Sequence, residues 1–212
     1  MDRLRAHYGE PAPRTPNDPL GELVATILSQ HTSDVNTARA FASLRATFDT
    51  WESVAEAPVV AVADAIRSGG LAQIKAPRIQ GVLRDIRATH GAYSLDFLRN
   101  VPVDEGQAYL TSLNGVGPKT AACVLLFALG LPALPVDTHV HRVSQRLGLI
   151  GPKVGEAAAH RILEAVVPAR DIYAFHMLLI GHGRAICKAL RPRCHECPLA
   201  DACPKAGVAA PA

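Results

Sequence analysis

The sequence has no apolar stretch long enough to cross a membrane. Its most apolar segment, residues 121–134, contains Gly130 and Pro132, and it is shorter than the roughly 20 residues that a transmembrane helix needs. Residues 1–5 also lack the apolar core of a signal peptide. We therefore expect no membrane association and an intracellular, cytoplasmic location.

A large excess of positive charge is also missing. The net charge is +3 and the isoelectric point is near 8.7, which excludes a polycation that binds nucleic acid by charge alone. Any such binding must come from local basic clusters. With 49% hydrophobic residues in a chain of 212, the protein is expected to be globular with a real core, as one domain or two small ones.

No segment shows the alternating apolar and polar pattern of a half-buried strand. Apolar residues recur instead at helical spacing, as at Leu20, Leu23, Val24, Ile27 and Leu28. The fold class is therefore predicted to be all-α. Helices are predicted over residues 1–8, 20–29, 35–48, 51–57, 58–68, from Pro77 to about Thr89, 105–113, 119–131, 138–147, 154–166 and 171–187. Residues 11–19 are predicted as a proline-rich linker, and residues 206–212 as a low-complexity tail.

A tight turn of sequence Leu-Asn-Gly-Val-Gly-Pro-Lys-Thr, residues 113–120, joins two of these helices. Glycine at Gly115 and Gly117 allows positive φ and a close approach of another backbone, while Pro118 suits a first helical position. Backbone N–H groups at such a turn suit an oxyanion, usually phosphate. A purely steric role fits a lone Gly-X-Gly as well. Lys119 favours function, because a cation is misplaced at the positive end of a helix and the neutral, nucleophilic amine is favoured there.

Asp137 stands directly before the helix predicted over residues 138–147, and we expect it to cap that helix. A carboxylate that accepts backbone N–H bonds stays ionised. It can therefore also accept a proton from a nucleophile or stabilise a cationic sugar.

Four cysteines near the C-terminus have the spacing C-x6-C-x2-C-x5-C and indicate a metal centre: Cys187, Cys194, Cys197 and Cys203. The spacing alone is compatible with a zinc ion bound by four thiolates, and it matches neither of two common ferredoxin patterns. A disulfide pair is disfavoured in an intracellular protein. Cys123, in the apolar helix, is predicted to be a buried structural thiol.

In combination, residues 113–126, the string Val-Asp-Thr-His at 136–139 and the four cysteines resemble the endonuclease III branch of the helix–hairpin–helix DNA glycosylases. The resemblance extends from about Leu20 to Cys203. The cysteine spacing is the same as in the [4Fe-4S] loop of that branch, so the resemblance assigns a [4Fe-4S] cluster to these cysteines.

The resemblance also implies two helical lobes with the active-site cleft between them. One is a bundle domain, residues 21–131, that contains the helix–hairpin–helix. The other is a discontinuous iron–sulfur domain, residues 1–20 plus 132–212. The sequence pattern alone does not indicate this discontinuity.

The implied activity is that of a bifunctional DNA glycosylase and abasic-site lyase of base excision repair, acting on oxidised pyrimidines of the thymine glycol type. Lys119 would attack C1′ of the deoxyribose with the help of Asp137, and a Schiff base and β-elimination would follow. The implied partner is double-stranded DNA with damaged bases or abasic sites. We expect a monomer located in the cytoplasm with the nucleoid.

Removing a base from a duplex requires extruding its nucleotide, and side chains must fill the gap. By resemblance these are Gln30 and Leu71, with His31 as the alternative in the first loop. Without that role, Gln30 would be a polar cap of its helix, and Leu71 would be a core residue behind the turn Gly69–Gly70.

Further DNA contacts are predicted at the hairpin and beside the cysteines. Gly115 and Gly117 would receive a phosphate at the hairpin. Three cations in the cysteine loop, Lys188, Arg191 and Arg193, are suited to DNA phosphates, the alternative being a solvated loop face.

Two other functions compete with this prediction. A mismatch-directed glycosylase of the same superfamily shares the cluster motif but generally lacks the lysine. A non-catalytic helix–hairpin–helix DNA-binding iron–sulfur scaffold requires neither Lys119 nor Asp137. The presence of both residues favours the bifunctional enzyme.

Overall fold

The protein is described here by a computed structural model, which covers residues 1–13, 15 and 17–208. These residues contain no β-strand, so the all-α prediction is confirmed. They form eleven α-helices: α1 (Asp2–Tyr8), α2 (Pro19–Ser29), α3 (Asp34–Thr47), α4 (Trp51–Glu56), α5 (Val59–Ala65), α6 (Ala72–His90), α7 (Val103–Ser112), α8 (Pro118–Cys123), α9 (Thr138–Arg146), α10 (Glu156–Val166) and α11 (Ile172–Ala185). None of the described helices is long and apolar enough to span a membrane.

Parts of the predicted linker and tail, namely residues 14 and 16 and residues 209–212, lie outside the described residues. The chain divides into two compact units. We call Thr15–Leu131 the helical unit. We call Met1–Arg14 together with Pro132–Ala212 the cysteine unit.

Helix α2 forms the centre of the helical unit. Its N-cap Asp18 accepts hydrogen bonds from the amides of Leu20 and Gly21, both at 3.0 Å, and Pro19 takes the first helical position. It packs against α3, α6, α8 and the turn that follows α8, and five of its apolar side chains are completely buried: Leu20, Leu23, Val24, Ile27 and Leu28. Each such side chain contributes about 1.5–3 kcal/mol by its removal from water.

Helix α6 begins at Ala72, so the prediction that Pro77 begins it is wrong. Pro77 lies inside the helix, where its ring nitrogen cannot donate the usual intrahelical bond. The turn before it is helical because Lys75 and Ala76 are buried and fix that turn in the core. Tertiary packing therefore overrides the local proline signal.

The apolar helix predicted over residues 119–131 is interrupted in a different way. Helix α8 ends at Cys123 and continues as a π-helical turn, Val124–Leu129, which Gly130 ends with φ 75°. Cys123 is 4% exposed, which confirms that it is a buried thiol.

In the cysteine unit, α11 packs against α9 and α1, and α10 packs against α9. Helix α1 is joined to α11 by the Tyr8 hydroxyl, 2.9 Å from His182 Nδ1. Arg5 joins α1 to the residue before α11, because its Nη2 lies 2.9 Å from Asp171 Oδ1. The last core residue is Ile186. From residue 187 to 208 no described residue is buried, so this loop has no apolar core of its own.

Candidate active site and metal centre

The two glycines of the hairpin differ in their backbone requirements. Gly115 has φ 79°, and a Cβ there would lie 2.4 Å from Arg78 Nε. Gly117 has φ −90°, and a Cβ there would meet no atom within 4 Å. Of the two glycines, only Gly115 therefore uses the positive φ that glycine allows. The open space beside Gly117 leaves room for another molecule.

Lys119 is the second residue of α8 and is partly exposed. The first hydrogen bond of this helix runs from the amide of Ala121 to the carbonyl of Gly117 at 3.0 Å. The amides of Lys119 and Thr120 come before it, so they have no acceptor within the helix. Among the described residues of the helical unit, no carboxylate pairs with the Lys119 amine. The amine stands at a helix start without a counter-ion from its own unit.

The predicted wedge residues lie in two irregular turns of the helical unit. Gln30 follows α2 as its C-cap, and its Oε1 accepts a hydrogen bond from Arg78 Nη1 at 2.9 Å. His31 is exposed with φ 56°. Leu71 has φ 50° and is 50% exposed, so the alternative that Leu71 is a core residue is wrong.

Arg78, on α6, connects two of these predicted sites. Its guanidinium bonds to Gln30 and lies against Gly115. One side chain thus bonds to the loop after α2 and lies against the hairpin.

Asp137 is the N-cap of α9, as predicted. Its Oδ1 accepts a hydrogen bond from the amide of Val140 at 2.7 Å. The cap uses one carboxylate oxygen, and the side chain is only partly buried. The second oxygen is therefore available as a hydrogen-bond acceptor.

Three side chains that the sequence did not single out fix the backbone leading to this carboxylate. The amide of Leu134 donates to Glu164 Oε1 at 2.8 Å, and its carbonyl lies 2.8 Å from His160 Nδ1. The carbonyl of Pro135 lies 2.8 Å from His176 Nδ1. Burial raises the pKa of Glu164, an effect that the Leu134 amide opposes, and burial lowers the pKa of His160. Both imidazoles donate to a backbone carbonyl at Nδ1, so their tautomers are set by the backbone.

The four predicted ligand cysteines line one cavity, together with His182 from α11. All four are free cysteines in the structure. Four cysteine sulfurs at one cavity are a donor set that suits a metal centre with thiolate ligands, either a zinc ion or an iron–sulfur cluster.

Two arginines of α9, which the sequence analysis missed, hold the cysteine loop. Arg142 Nε donates to the carbonyl of Cys187 at 3.0 Å. Arg146 donates to the carbonyls of Lys188 and Ala189 at 2.7 and 3.0 Å, and its Nη1 lies 3.4 Å from Cys187 Sγ. Asp137 caps this same helix. One helix therefore carries the carboxylate at its start and supports the cysteine loop farther along.

The three predicted phosphate-binding cations differ in their surroundings. Lys188 and Arg191 are exposed, and Arg191 has φ 50°. Arg193 pairs with Glu196 at 2.8 Å and donates to the carbonyl of Ala185 at 2.7 Å. Arg193 therefore also has a structural task in the loop.

Comparison with known proteins gives matches over most of the chain. Residues 24–169 match the family described as "HhH-GPD superfamily base excision DNA repair protein", and residues 187–203 match the "Iron-sulfur binding domain of endonuclease III". An Arabidopsis thaliana protein named "Putative DNA glycosylase" is 38% identical over 192 residues, which are 91% of this chain and 63% of that protein. This chain thus spans less than two thirds of that relative's length.

Endonuclease III from Bacillus subtilis is 36% identical over 187 residues, 88% of this chain and 81% of that one. The solved structure of a trapped endonuclease III–DNA covalent intermediate matches with a TM-score of 0.80 and 30% identity, over 96% of this chain and 92% of that chain.

The iron–sulfur match begins at Cys187 and ends at Cys203, and it therefore contains all four cavity cysteines. Thiolates from four cysteines are the ligand set of a [4Fe-4S] cluster, and this cluster is the cofactor of the cavity. The family model covers more than half of the chain, and endonuclease III from Bacillus subtilis is 36% identical over 88% of it, so the family is shown. The chain belongs to the endonuclease III family, within the helix–hairpin–helix superfamily of base excision DNA repair proteins.

Proposed function

We propose that the chain is a bifunctional DNA glycosylase and abasic-site lyase that removes oxidised pyrimidines, such as thymine glycol, from double-stranded DNA. The observation that supports this most is the position of Lys119. Its amine stands at the start of a mostly buried helix, directly after a glycine turn with open space beside Gly117. A scaffold that only binds DNA does not need a lysine there, and a covalent complex with DNA is known for a relative of the same fold.

In the proposed reaction, Lys119 Nζ forms a bond to C1′ of the deoxyribose while the bond from C1′ to the base breaks. The base leaves with the electron pair of that bond and takes up a proton. Asp137 accepts the proton that the amine loses, a role worth about 10²–10⁴-fold in rate. Ring opening gives the Schiff base. Loss of a proton from C2′ then expels the 3′ phosphate and cuts the strand.

The cluster supplies no step of this reaction, which transfers no electron. When bound, it ties Cys187, Cys194, Cys197 and Cys203 together and shapes the loop that carries Lys188, Arg191 and Arg193. We propose that these cations contact DNA phosphates. Arg193 would do so from a side chain that is also bonded to Glu196.

In the helical unit, we propose that the hairpin binds phosphate at Gly115 and Gly117. Gln30, with His31 beside it, and Leu71 would fill the gap left by the extruded nucleotide. The exposed position of Leu71 supports this role, because its side chain is accessible to a bound duplex.

The proposal includes the predicted domains, residues 21–131 and residues 1–20 plus 132–212. It also includes a monomeric protein in the cytoplasm, associated with the nucleoid. Its partner would be double-stranded DNA with damaged bases or abasic sites.

Trapping with borohydride tests the proposal. When the protein is incubated with a thymine glycol duplex and borohydride, reduction of the Schiff base should leave a covalent protein–DNA adduct on a denaturing gel. We expect the adduct to disappear in Lys119→Ala while binding to the same duplex is retained, because that variant removes the only nucleophile that the proposal invokes.

Each other outcome points elsewhere. An adduct that persists in Lys119→Ala would identify a different amine. Free thymine glycol with uncut abasic DNA would indicate a glycosylase that uses water. The absence of both products, with DNA binding intact, would favour the iron–sulfur scaffold.

The two hairpin glycines provide a further prediction. Gly117→Ala should leave the melting temperature nearly unchanged, because its φ is ordinary and no atom lies within 4 Å of the new Cβ. It should weaken DNA binding, because the methyl group fills the space proposed for a phosphate. Gly115→Ala should instead lower the melting temperature, because its φ is 79° and the new Cβ would collide with Arg78. Thermal unfolding and DNA titration of both variants check this, and normal DNA binding by a folded Gly117→Ala would contradict it.

A further inference from the structure

A lysine outside the proposed chemistry is buried in the helical unit. Lys75, on α6, is 2% exposed, and its Nζ donates hydrogen bonds to the carbonyls of Leu28 at 2.6 Å and Gly69 at 2.8 Å. Burial lowers the pKa of Lys75, and the neighbouring Arg78 lowers it further. No carboxylate among the described residues of the helical unit pairs with this amine. Burying an amine that has only carbonyl partners costs folding free energy, which indicates that Lys75 has a function beyond stability.

The two carbonyls belong to the two irregular turns that hold the predicted wedge residues. Leu28 lies two residues before Gln30, and Gly69 lies two residues before Leu71. Beyond each carbonyl stands a non-glycine residue with left-handed φ, His31 at 56° and Leu71 at 50°. These are the only two such residues among the described residues of the helical unit. Strained residues of this kind persist where the surrounding structure enforces them, and they concentrate at functional sites.

Arg78 extends this arrangement one turn further along α6. Its Nη1 bonds to Gln30, and its guanidinium lies against Gly115 of the hairpin. Two cations one turn apart on one helix therefore bond to the loop after α2 and the turn before α6, and the second also lies against the hairpin. All three belong to the helical unit.

We propose that Lys75 is a positioning residue for nucleotide extrusion. Its amine fixes the distance between the turn of Gln30 and His31 and the turn of Leu71, so that both enter the DNA as one rigid element. Lys75 does not touch the DNA in this proposal, and it takes no part in bond breaking. The inference rests on the proposed function for the roles of these two turns.

A matched pair of variants separates this role from ordinary stability. Lys75→Met keeps the length of the side chain and removes both hydrogen bonds. Gln80, on the same helix, is 0% exposed, and its Nε2 donates to the carbonyls of Val54 at 2.8 Å and Ala57 at 2.7 Å. Gln80→Met therefore also removes two buried bonds to backbone carbonyls, but in a part of the unit that carries no predicted DNA contact.

Two substrates report on extrusion separately from chemistry. Removal of thymine glycol from a duplex, in single turnover at saturating enzyme, requires extrusion. Cleavage of an abasic site in single-stranded DNA does not, because that nucleotide is already unstacked. Since unstacking and unpairing amount to a few kcal/mol, we expect Lys75→Met to slow duplex excision by about 30-fold or more. Single-strand cleavage by Lys75→Met, and both reactions of Gln80→Met, should remain close to the wild-type rates.

A third measurement is independent of catalysis. In a duplex with 2-aminopurine beside an abasic-site analogue, binding should raise the fluorescence of 2-aminopurine as the stack opens. We expect the rise with wild type and Gln80→Met and its loss with Lys75→Met. A normal rise with folded Lys75→Met, equal losses on both catalytic substrates, or the same defect in Gln80→Met would overturn the inference.

Failure of the proposed function gives a different result. Wild-type protein would then form no borohydride adduct, while the fluorescence comparison would still decide whether Lys75 positions the two turns. If Lys75→Met does not fold, as judged by circular dichroism, Lys75→Gln takes its place. Glutamine retains an amide donor but is shorter, so it should show a weaker form of the same defect.

Discussion

Asp137→Asn is expected to lose most of the base-excision activity while the protein remains folded. Asparagine caps helices as well as aspartate does, so its side-chain oxygen can still accept the bond from Val140. The variant removes only the negative charge and the proton acceptor. Because a positioned general base contributes about 10²–10⁴-fold, we expect a loss in that range in the single-turnover release of thymine glycol.

Two further variants separate capping from chemistry. Asp137→Ala also removes the cap, which should lower the free energy of unfolding by about 0.5–2 kcal/mol. Thr50→Ala removes a comparable cap from α4, where Thr50 Oγ1 accepts a bond from the amide of Ser53 at 3.0 Å, and it should retain excision. Full activity in Asp137→Asn would show that the carboxylate is only a cap.

Loss of the [4Fe-4S] cluster is expected to unfold the loop from residue 187 to residue 208. No described residue in this range is buried, so the cluster replaces a hydrophobic core there. Cys197→Ser should lose iron and visible colour, become sensitive to protease in the loop, and melt roughly 10 °C or more below wild type, since each kcal/mol shifts the midpoint of a chain of this size by about 2–4 °C.

The loss of structure should also affect α9, because Arg142 and Arg146 of that helix donate hydrogen bonds to carbonyls of the loop. The matched control is Cys123→Ser, which changes a buried cysteine of the helical unit outside the cavity. It should keep a full cluster. Wild-type protein that is colourless and contains one zinc ion, or a Cys197→Ser protein with normal stability, would contradict this prediction.

The parts of the site that sequence could predict are those encoded by neighbouring residues. The hairpin follows from two glycines and a proline, and the capping role of Asp137 follows from the helix after it. The cysteine spacing indicates a metal centre, although spacing alone does not exclude zinc. The match of residues 187–203 to the iron–sulfur domain of endonuclease III makes that distinction.

The parts that sequence could not predict depend on contacts between distant segments. Lys75 bonds to a carbonyl 47 positions away, and local pattern placed it before a helix that was expected to begin at Pro77. The sequence shows three further side chains only as helical residues: His160, His176 and Glu164. Their hydrogen bonds to the backbone of Leu134 and Pro135 become visible only in the structure. In each case the side chain bonds to a backbone carbonyl or amide. Because almost every residue carries these groups, the identity of the partner residue gives no sign of the contact in the sequence.

The attachment of α1 to α11 has a consequence for the order of assembly. Tyr8 and His182 are 174 positions apart. Translation proceeds at roughly 5–20 residues per second. Helix α1 is therefore synthesised about 10–35 s before the part of α11 to which it binds. The helical unit, by contrast, is continuous in sequence and is synthesised without such a delay. We therefore expect nascent chains to mature in two stages, with iron incorporated only after the second stage begins.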